Sequence, residues 1–240
     1  MFKIITVKNY DEMSERAFEV VKELVDAKPN CVLGLATGSS PIGLYERMVE
    51  DHKENGTSYQ EVTTFNLDEY CGLPRSHPES YYSFMNKNLF SGIDICSANI
   101  HIPEDGDDKE AKCKEYDKLM EDFEIDLQVL GIGSNGHIGF NEPGASFDSN
   151  TNLVTLKEST RQDNARFFDS IDEVPTQAIT MGIATIMKAK KILIIASGEN
   201  KADAVSKMIN GPITTDMPAS VLQNHDDVVV IIDEKAASKL

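Results

Sequence analysis

Polar side chains suited to acid–base work crowd one glycine-rich segment, LQVLGIGSNGHIGFNEPG, at residues 127–144. His137 can take and return a proton near neutral pH. Glu142 can bond one ring nitrogen, fixing the tautomer and strengthening the base at the other, and Asn135 is a further polar neighbour. Gly131, Gly133 and Gly136 also match the G-x-G-x-x-G spacing of dinucleotide sites. That match fails in context. The third glycine of a nucleotide fingerprint must lead into a long helix packed on its strand. Here Gly139, Pro143 and Gly144 interrupt any helix within a few residues. The acidic residue expected at the end of a following strand is also not evident. The glycines read instead as a tight loop presenting Asn135, His137 and Glu142 at the end of a strand.

Other reactive groups follow other apolar runs. Asp68 and Glu69, in FNLDEY, are costly at the end of a buried strand unless solvated or used. One of them, its proton affinity raised by burial and by its neighbour, can serve as a general base; the alternative is a helix or turn cap. TGSSP, residues 37–41, combines a turn glycine, Gly38, with the hydroxyls of Ser39 and Ser40, one expected to cap the next helix, and with Pro41 at its first position. Free N–H groups at a helix start make a phosphate seat, although an ordinary capped turn has the same residues. The lysine of a nucleotide-triphosphate loop is missing. Lys201, in SGENKADAV, and Arg166, in STRQDNARFF, are candidate partners for the same anion or solvated surface charges. His52, His77, His101 and His225 have no motif around them.

These groups need elements to hold them. The runs FKIITV, CVLGLA, VTTFNL, LQVLGI, KILIIA and DVVVIID are apolar on both faces, as in buried parallel strands. EMSERAFEVVKELVDA, PIGLYERMVEDHKEN, DDKEAKCKEYDKLMEDF and ENKADAVSKMI show helical periodicity between them. Alternation of the two implies an open, doubly wound α/β sheet, with ligands outside the carboxyl ends of the strands. No repeat or linker stands out, so residues 1–240 are expected to form a single α/β catalytic domain. The polar segment 145–171 is expected to act as a mobile lid.

The net charge of −17 argues against nucleic acid and anionic membrane surfaces as partners. It leaves room for a small phosphorylated ligand. Cys31, Cys71, Cys96 and Cys113 form no C-x-x-C pair, so no metal site is suggested and reduced thiols in the cytoplasm are expected. The N-terminus lacks a signal peptide's apolar core, and no run is long enough to span a bilayer.

With those motifs in place, the chain closely resembles the glucosamine-6-phosphate deaminase family, also called glucosamine-6-phosphate isomerases. The resemblance rests on LGLATGSSPIGLY, TFNLDEYCGLPRSHPESYYSFM, GIGSNGHIGFNEPG, ARFF and SGENKA, in that order, from near the N-terminus to the last strand. It implies a Rossmann-like open, mostly parallel sheet with helices on both faces and no nucleotide bound. It also implies conversion of glucosamine 6-phosphate and water to fructose 6-phosphate and ammonia, in amino-sugar catabolism, without metal or organic cofactor. His137 would then open the sugar ring, held by Glu142 and Asn135. Asp68 would move the C2 proton towards C1. The phosphate would sit on Gly38, Ser39 and Ser40, clamped by Arg166 and Lys201.

Two departures from the family pattern matter. Allosteric hexameric members have an aspartate in place of Asn135. They also carry basic residues for an N-acetylglucosamine 6-phosphate effector where this chain has Asn152 and Val154, and they extend beyond this C-terminus. A monomer or small homo-oligomer without that activation is therefore expected. The nearest rival is 6-phosphogluconolactonase, which shares the glycine–histidine loop but usually continues with a TASLFPG-like run and has DER in place of DEY. A non-catalytic sugar-phosphate sensor would keep the phosphate seat and lose the acid–base set, yet Asp68, His137 and Glu142 are all present.

Overall fold

Successive residues of a strand face opposite ways, so a run apolar at every position needs cover on both sides. In the computed structural model, which describes residues 2–165, 168 and 170–240 without the side chains of 159 and 163, such runs become the centre of a sheet. The strands are β1 (Phe2–Val7), β2 (Val32–Leu35), β3 (Thr63–Asn66), β4 (Asp68–Tyr70), β5 (Ile100–His101), β6 (Leu127–Leu130), β7 (Asn152–Thr155), β8 (Gln177–Thr180), β9 (Ile192–Ala196) and β10 (Val228–Asp233). The helices are α1 (Tyr10–Ala27), α2 (Ile42–Asn55), α3 (Tyr81–Asn88), α4 (Lys109–Met120), α5 (Glu158–Asn164), α6 (Ile183–Ile186) and α7 (Ala202–Asn210).

One sheet has the order β1-β10-β9-β6-β2-β3-β5, with every pairing parallel. The six apolar runs of the sequence are β1, β2, β3, β6, β9 and β10; five lie inside the sheet as expected, but β1 is an edge strand paired with β10 and is largely exposed rather than buried. Alternate residues of the strands serve two cores. Leu33, Leu35, Leu127, Val129, Leu193 and Ile195 pack with Met13, Val21, Leu44, Met48 and Met85 from α1, α2 and α3. Val32, Leu130, Ile192, Ile194 and Val230 pack on the other side with Tyr116, Ile183, Val205 and Met208 from α4, α6 and α7. The expected α/β architecture, with helices on both faces, is the one found.

A second sheet was not legible in the sequence. It is antiparallel, in the order β4-β8-β7. Its strands are short and half-buried in part, and β7 lies inside the segment read as polar and strand-poor. α3 and α5 were likewise missed, at eight and seven residues.

Strand order reverses between β2 and β6: the chain runs outward from β2 through β3 to β5, then returns to β6 beside β2. Crevices at such a switch point are where open α/β sheets bind ligands. The loops after β2 and β6 face each other there, and a Cβ built on Gly131 would lie 3.7 Å from Ser40 Oγ.

Leu33, on β2, is fully buried, whereas Ile4 on the edge strand β1 is 41% exposed. Leu33→Ala should therefore cost roughly 2–5 kcal/mol in a urea titration, and Ile4→Ala less than about 0.5 kcal/mol. Similar losses for both would contradict this placement of centre and edge.

Candidate active site

The chain leaves one sheet and enters the other at Leu67. Leu67 N donates to Leu35 O at 3.0 Å, and Leu67 O accepts from Met181 N at 2.6 Å. Asp68 thus becomes the first residue of β4, opposite Thr180 of β8. Its side chain is buried. Burial pushes its carboxyl up to about 8, the neighbouring Glu69 charge adds to this, and a hydrogen bond with Thr37 eases it.

Glu69 points the other way and meets a helix start. Its Oε1 accepts from Tyr70 N at 2.8 Å and Tyr81 N at 2.9 Å, and its Oε2 from Tyr82 N at 2.9 Å. Burial raises its carboxyl above the ordinary value, although these N–H groups and Arg75 work against the rise. The capping alternative is realised by Glu69. Glu69 holds the first turn of α3, and Asp68 faces open space.

The segment after β6 is a tight loop. Gly136 N donates to Gly133 O at 3.0 Å, and Gly133 N to His137 O at 2.9 Å. Gly136 has φ of 86°, a left-handed conformation that favours glycine. The imidazole of His137 lies directly over Gly133, where a Cβ would come within 2.3 Å of ring Cε1. Beyond it the loop is pinned to the second sheet. Thr180 Oγ1 accepts from Phe140 N at 3.1 Å, and Asn141 Nδ2 donates to both Ile138 O and Met181 O at 2.9 Å.

Glu142 stands behind the imidazole, with its Oε2 3.7 Å from His137 Nδ1, beyond hydrogen-bond reach. Asn135 does not bond the ring. Its Nδ2 donates to Glu142 Oε2 at 2.7 Å, and its Oδ1 accepts from His137 N at 3.2 Å. Glu142 Oε1 accepts from Thr160 Oγ1. Partial burial opposes ionisation of Glu142, but His137, Thr160 and Asn135 together hold its carboxyl down to about 2.

Asp68, His137, Gly38, Ser39, Ser40 and Lys201 line one cavity of about 200 Å³ at the switch point. Asn135 and Glu142 do not line it. Lys201 ends the short turn Glu199–Lys201 that leads into α7. Arg166 lies outside the described residues. One local expectation needs correction: neither serine caps α2. The cap position falls on Pro41, which was expected one residue further in, and it makes no side-chain capping bond. The reason is Tyr10, from α1. Its hydroxyl donates to Ser39 O at 2.9 Å and accepts from Gly43 N at 2.8 Å, so it serves the first turn in place of a serine.

Thr37, Tyr81, Thr160 and Asn164 also line the cavity and had no assigned part in the sequence reading. Thr37 directly precedes Gly38, so the strand-end rule reaches it. Thr160 and Asn164 are four apart, one face of α5, a signal usable only once that helix is known. No local pattern marks Tyr81. Among the described residues, no three His, Cys, Asp or Glu side chains converge as metal ligands, and no helix is long and apolar enough to cross a membrane.

The family model of glucosamine-6-phosphate isomerases/6-phosphogluconolactonase matches residues 8–231. A glucosamine-6-phosphate deaminase of Geobacillus sp. (strain WCH70) is 55% identical over 238 residues, covering 98% of this chain and 95% of that protein. One from Clostridium botulinum (strain Alaska E43 / Type E3) is 52% identical, covering 99% and 96%. The solved structure of a monomeric glucosamine-6-phosphate deaminase superposes with a TM-score of 0.97 at 48% identity, over 99% of this chain and 100% of that one. The 6-phosphogluconolactonase from Trypanosoma cruzi shares the fold, with a TM-score of 0.82 at 19% identity over 100% and 97%.

The Asp68 carboxyl, at about 8 against an ordinary 3.8, makes folding pH-dependent. Below about pH 3 both folded and unfolded chains hold the proton and there is no penalty. As pH rises the unfolded chain ionises first, so stability falls, and the full penalty stands above about pH 8. Asp68→Asn, which cannot ionise, should match the parent near pH 3 and exceed it by several kcal/mol near pH 8.5. Denaturant titrations at the two pH values measure this, and a gap that does not widen with pH would contradict it.

Proposed function

This chain belongs to the family of glucosamine-6-phosphate isomerases and 6-phosphogluconolactonases, and on that premise we infer that it is an enzyme converting glucosamine 6-phosphate and water to fructose 6-phosphate and ammonia. Within the family, the relatives above half identity over nearly the whole chain are named deaminases, whereas the lactonase structure shares 19%. The observation that carries the mechanism is that Asp68 and His137 face one cavity with Gly38, Ser39, Ser40 and Lys201.

In this reading the phosphate sits on Gly38, Ser39 and Ser40 with Lys201 and Arg166 as its cations. Held at its far end, the sugar presents C1 and C2 to the inner groups, and remote binding energy orients the reacting carbons. His137 takes the proton of the anomeric hydroxyl while the ring oxygen is protonated, and the ring opens to the aldehyde. Asp68 then removes the C2 proton, giving an enolamine, and returns a proton to C1. The imine left at C2 is hydrolysed by water, releasing ammonia and leaving the ketone of fructose 6-phosphate.

The carboxylates divide by environment. Glu142 stays ionised behind His137 and balances the imidazolium formed during ring opening. Asp68 has a basic carboxylate because it is desolvated, which suits proton transfer at carbon. Asn135 acts on Glu142 through its amide, a part that does not need an aspartate's charge. Asn152 and Val154 on β7 bring no cation for an anionic effector, and the similar structure is that of a monomeric deaminase. Both support a monomer or small homo-oligomer without effector activation. The four free cysteines suit a cytoplasmic setting.

The deciding assay is ammonia release from glucosamine 6-phosphate in buffer without added cofactor. Turnover is expected. Hydrolysis of 6-phosphogluconolactone without ammonia formation would favour the lactonase, and tight binding without turnover a sensor. The pH dependence is a second check. Because Asp68 must be ionised to act and its carboxyl stands at about 8, kcat/KM should climb as pH rises through that region. A profile already flat from about pH 6 to 9 would contradict so high a proton affinity for Asp68 in the working enzyme.

A further inference from the structure

We propose that Thr160 is a positioning residue of this site, whose hydroxyl fixes the Glu142 carboxylate behind His137 and ties it to the wall of the substrate cavity. The proposal builds on the deaminase reading above.

A glutamate carboxylate turns easily about its last bond, so one donor leaves its plane free. Glu142 has a donor on each oxygen, Asn135 Nδ2 on Oε2 and Thr160 Oγ1 on Oε1. The third neighbour, His137 Nδ1, is 3.7 Å away and not yet hydrogen-bonded. The carboxylate's position before the imidazole gains its proton is therefore set by the other two. Asn135 is exposed and belongs to the same loop, so alone it ties the loop only to itself. Thr160 comes from α5, is 6% exposed, and is the one of these two donors that also lines the cavity. A buried hydroxyl on a carboxylate is a charge-assisted bond sheltered from water. One helical turn on, Asn164 Nδ2 donates to Tyr70 OH at 2.8 Å, which seats α5 on the second sheet. Lys157 Nζ donates to Pro143 O at 3.2 Å, and among the described residues the hydrogen bonds to the Glu142 carboxylate come from Asn135 and Thr160.

Through this chain of contacts the orientation of the ring rests on a residue that is neither acid nor base. A carboxylate fixed 3.7 Å from Nδ1 biases the ring proton to that nitrogen through its charge, and a loose one does so less. The test uses Thr160→Val, which keeps the shape and removes the donor, and Thr160→Ser, which keeps the donor. Imidazole 15N spectra of the unliganded proteins should show His137 as one tautomer in the parent and in Thr160→Ser, and as a mixture in Thr160→Val. In the deaminase assay, Thr160→Val should lose roughly tenfold or more in kcat with KM within about twofold, and Thr160→Ser should stay within about threefold of the parent. An unchanged tautomer or full kcat in Thr160→Val, or a serine variant as impaired as the valine one, would overturn the proposal. A parent that releases no ammonia sinks the deaminase reading instead, and the tautomer spectra still decide whether Thr160 positions the pair.

Discussion

The relative placement of Asp68 and His137 is set by backbone at one seam, where two sheets share Leu67. Its N–H completes the parallel sheet through Leu35 and its carbonyl opens the antiparallel one through Met181. The next residue, Asp68, faces Thr180 across that seam, and the hydroxyl of Thr180 receives the Phe140 N–H of the histidine loop. Asn141 closes the same joint by giving its amide to Ile138 O and Met181 O. Flexible side chains on separate loops would lose orientation to thermal motion. Here the carboxylate and the imidazole loop hang from one ladder, the pre-organisation that the proposed proton transfer between adjacent carbons would require.

Strand geometry then separates two neighbouring acids. Adjacent residues on β4 point to opposite sides, so Asp68 and Glu69 meet different surroundings one bond apart. Glu69 finds the N–H groups of an incoming helix and serves architecture. Asp68 finds a cavity and gains proton affinity. Glu142, held by donors on both oxygens beside an imidazole, goes the other way to about 2. Environments that push like groups apart in proton affinity are what allocate acid and base parts in one pocket.

How much of this was legible follows the physics of each signal. β2, β6, β9 and β10 are buried on both faces, so their apolar runs declare themselves in sequence. The strands of the small sheet are three and four residues long, too short for a period to emerge, and are held by pairing between distant segments. The strand-end rule reached Gly38, Ser39, Ser40, Asp68, His137 and Lys201, all on the cavity. It could not reach Tyr81 or Thr160, which arrive by tertiary packing. Nor could it foresee that Tyr10, from another helix, takes the capping place open to Ser39 and Ser40. Local capping preference lost to a tertiary acceptor, the Tyr10 hydroxyl, supplied by a neighbouring helix.

The glycine spacing that imitates a dinucleotide site now has a cause. In nucleotide folds the glycines after a strand let backbone approach a pyrophosphate at the switch point. In this chain the same turn occupies the same place, after β6, but the group drawn close is internal: the His137 ring over Gly133. The pattern therefore reports a need for close approach at a sheet edge, and the element that follows decides what approaches. A long helix would aim its dipole at an anion. A loop broken by Gly139 and Pro143 instead delivers a side chain, and the seat proposed for the anion lies across the switch at the start of α2, where Ser40 faces Gly131. In the proposed reaction the start of α2 would seat the phosphate while Asp68, after β3, and His137, after β6, would meet C1 and C2 of the same hexose 6-phosphate, all from strand ends that share one cavity.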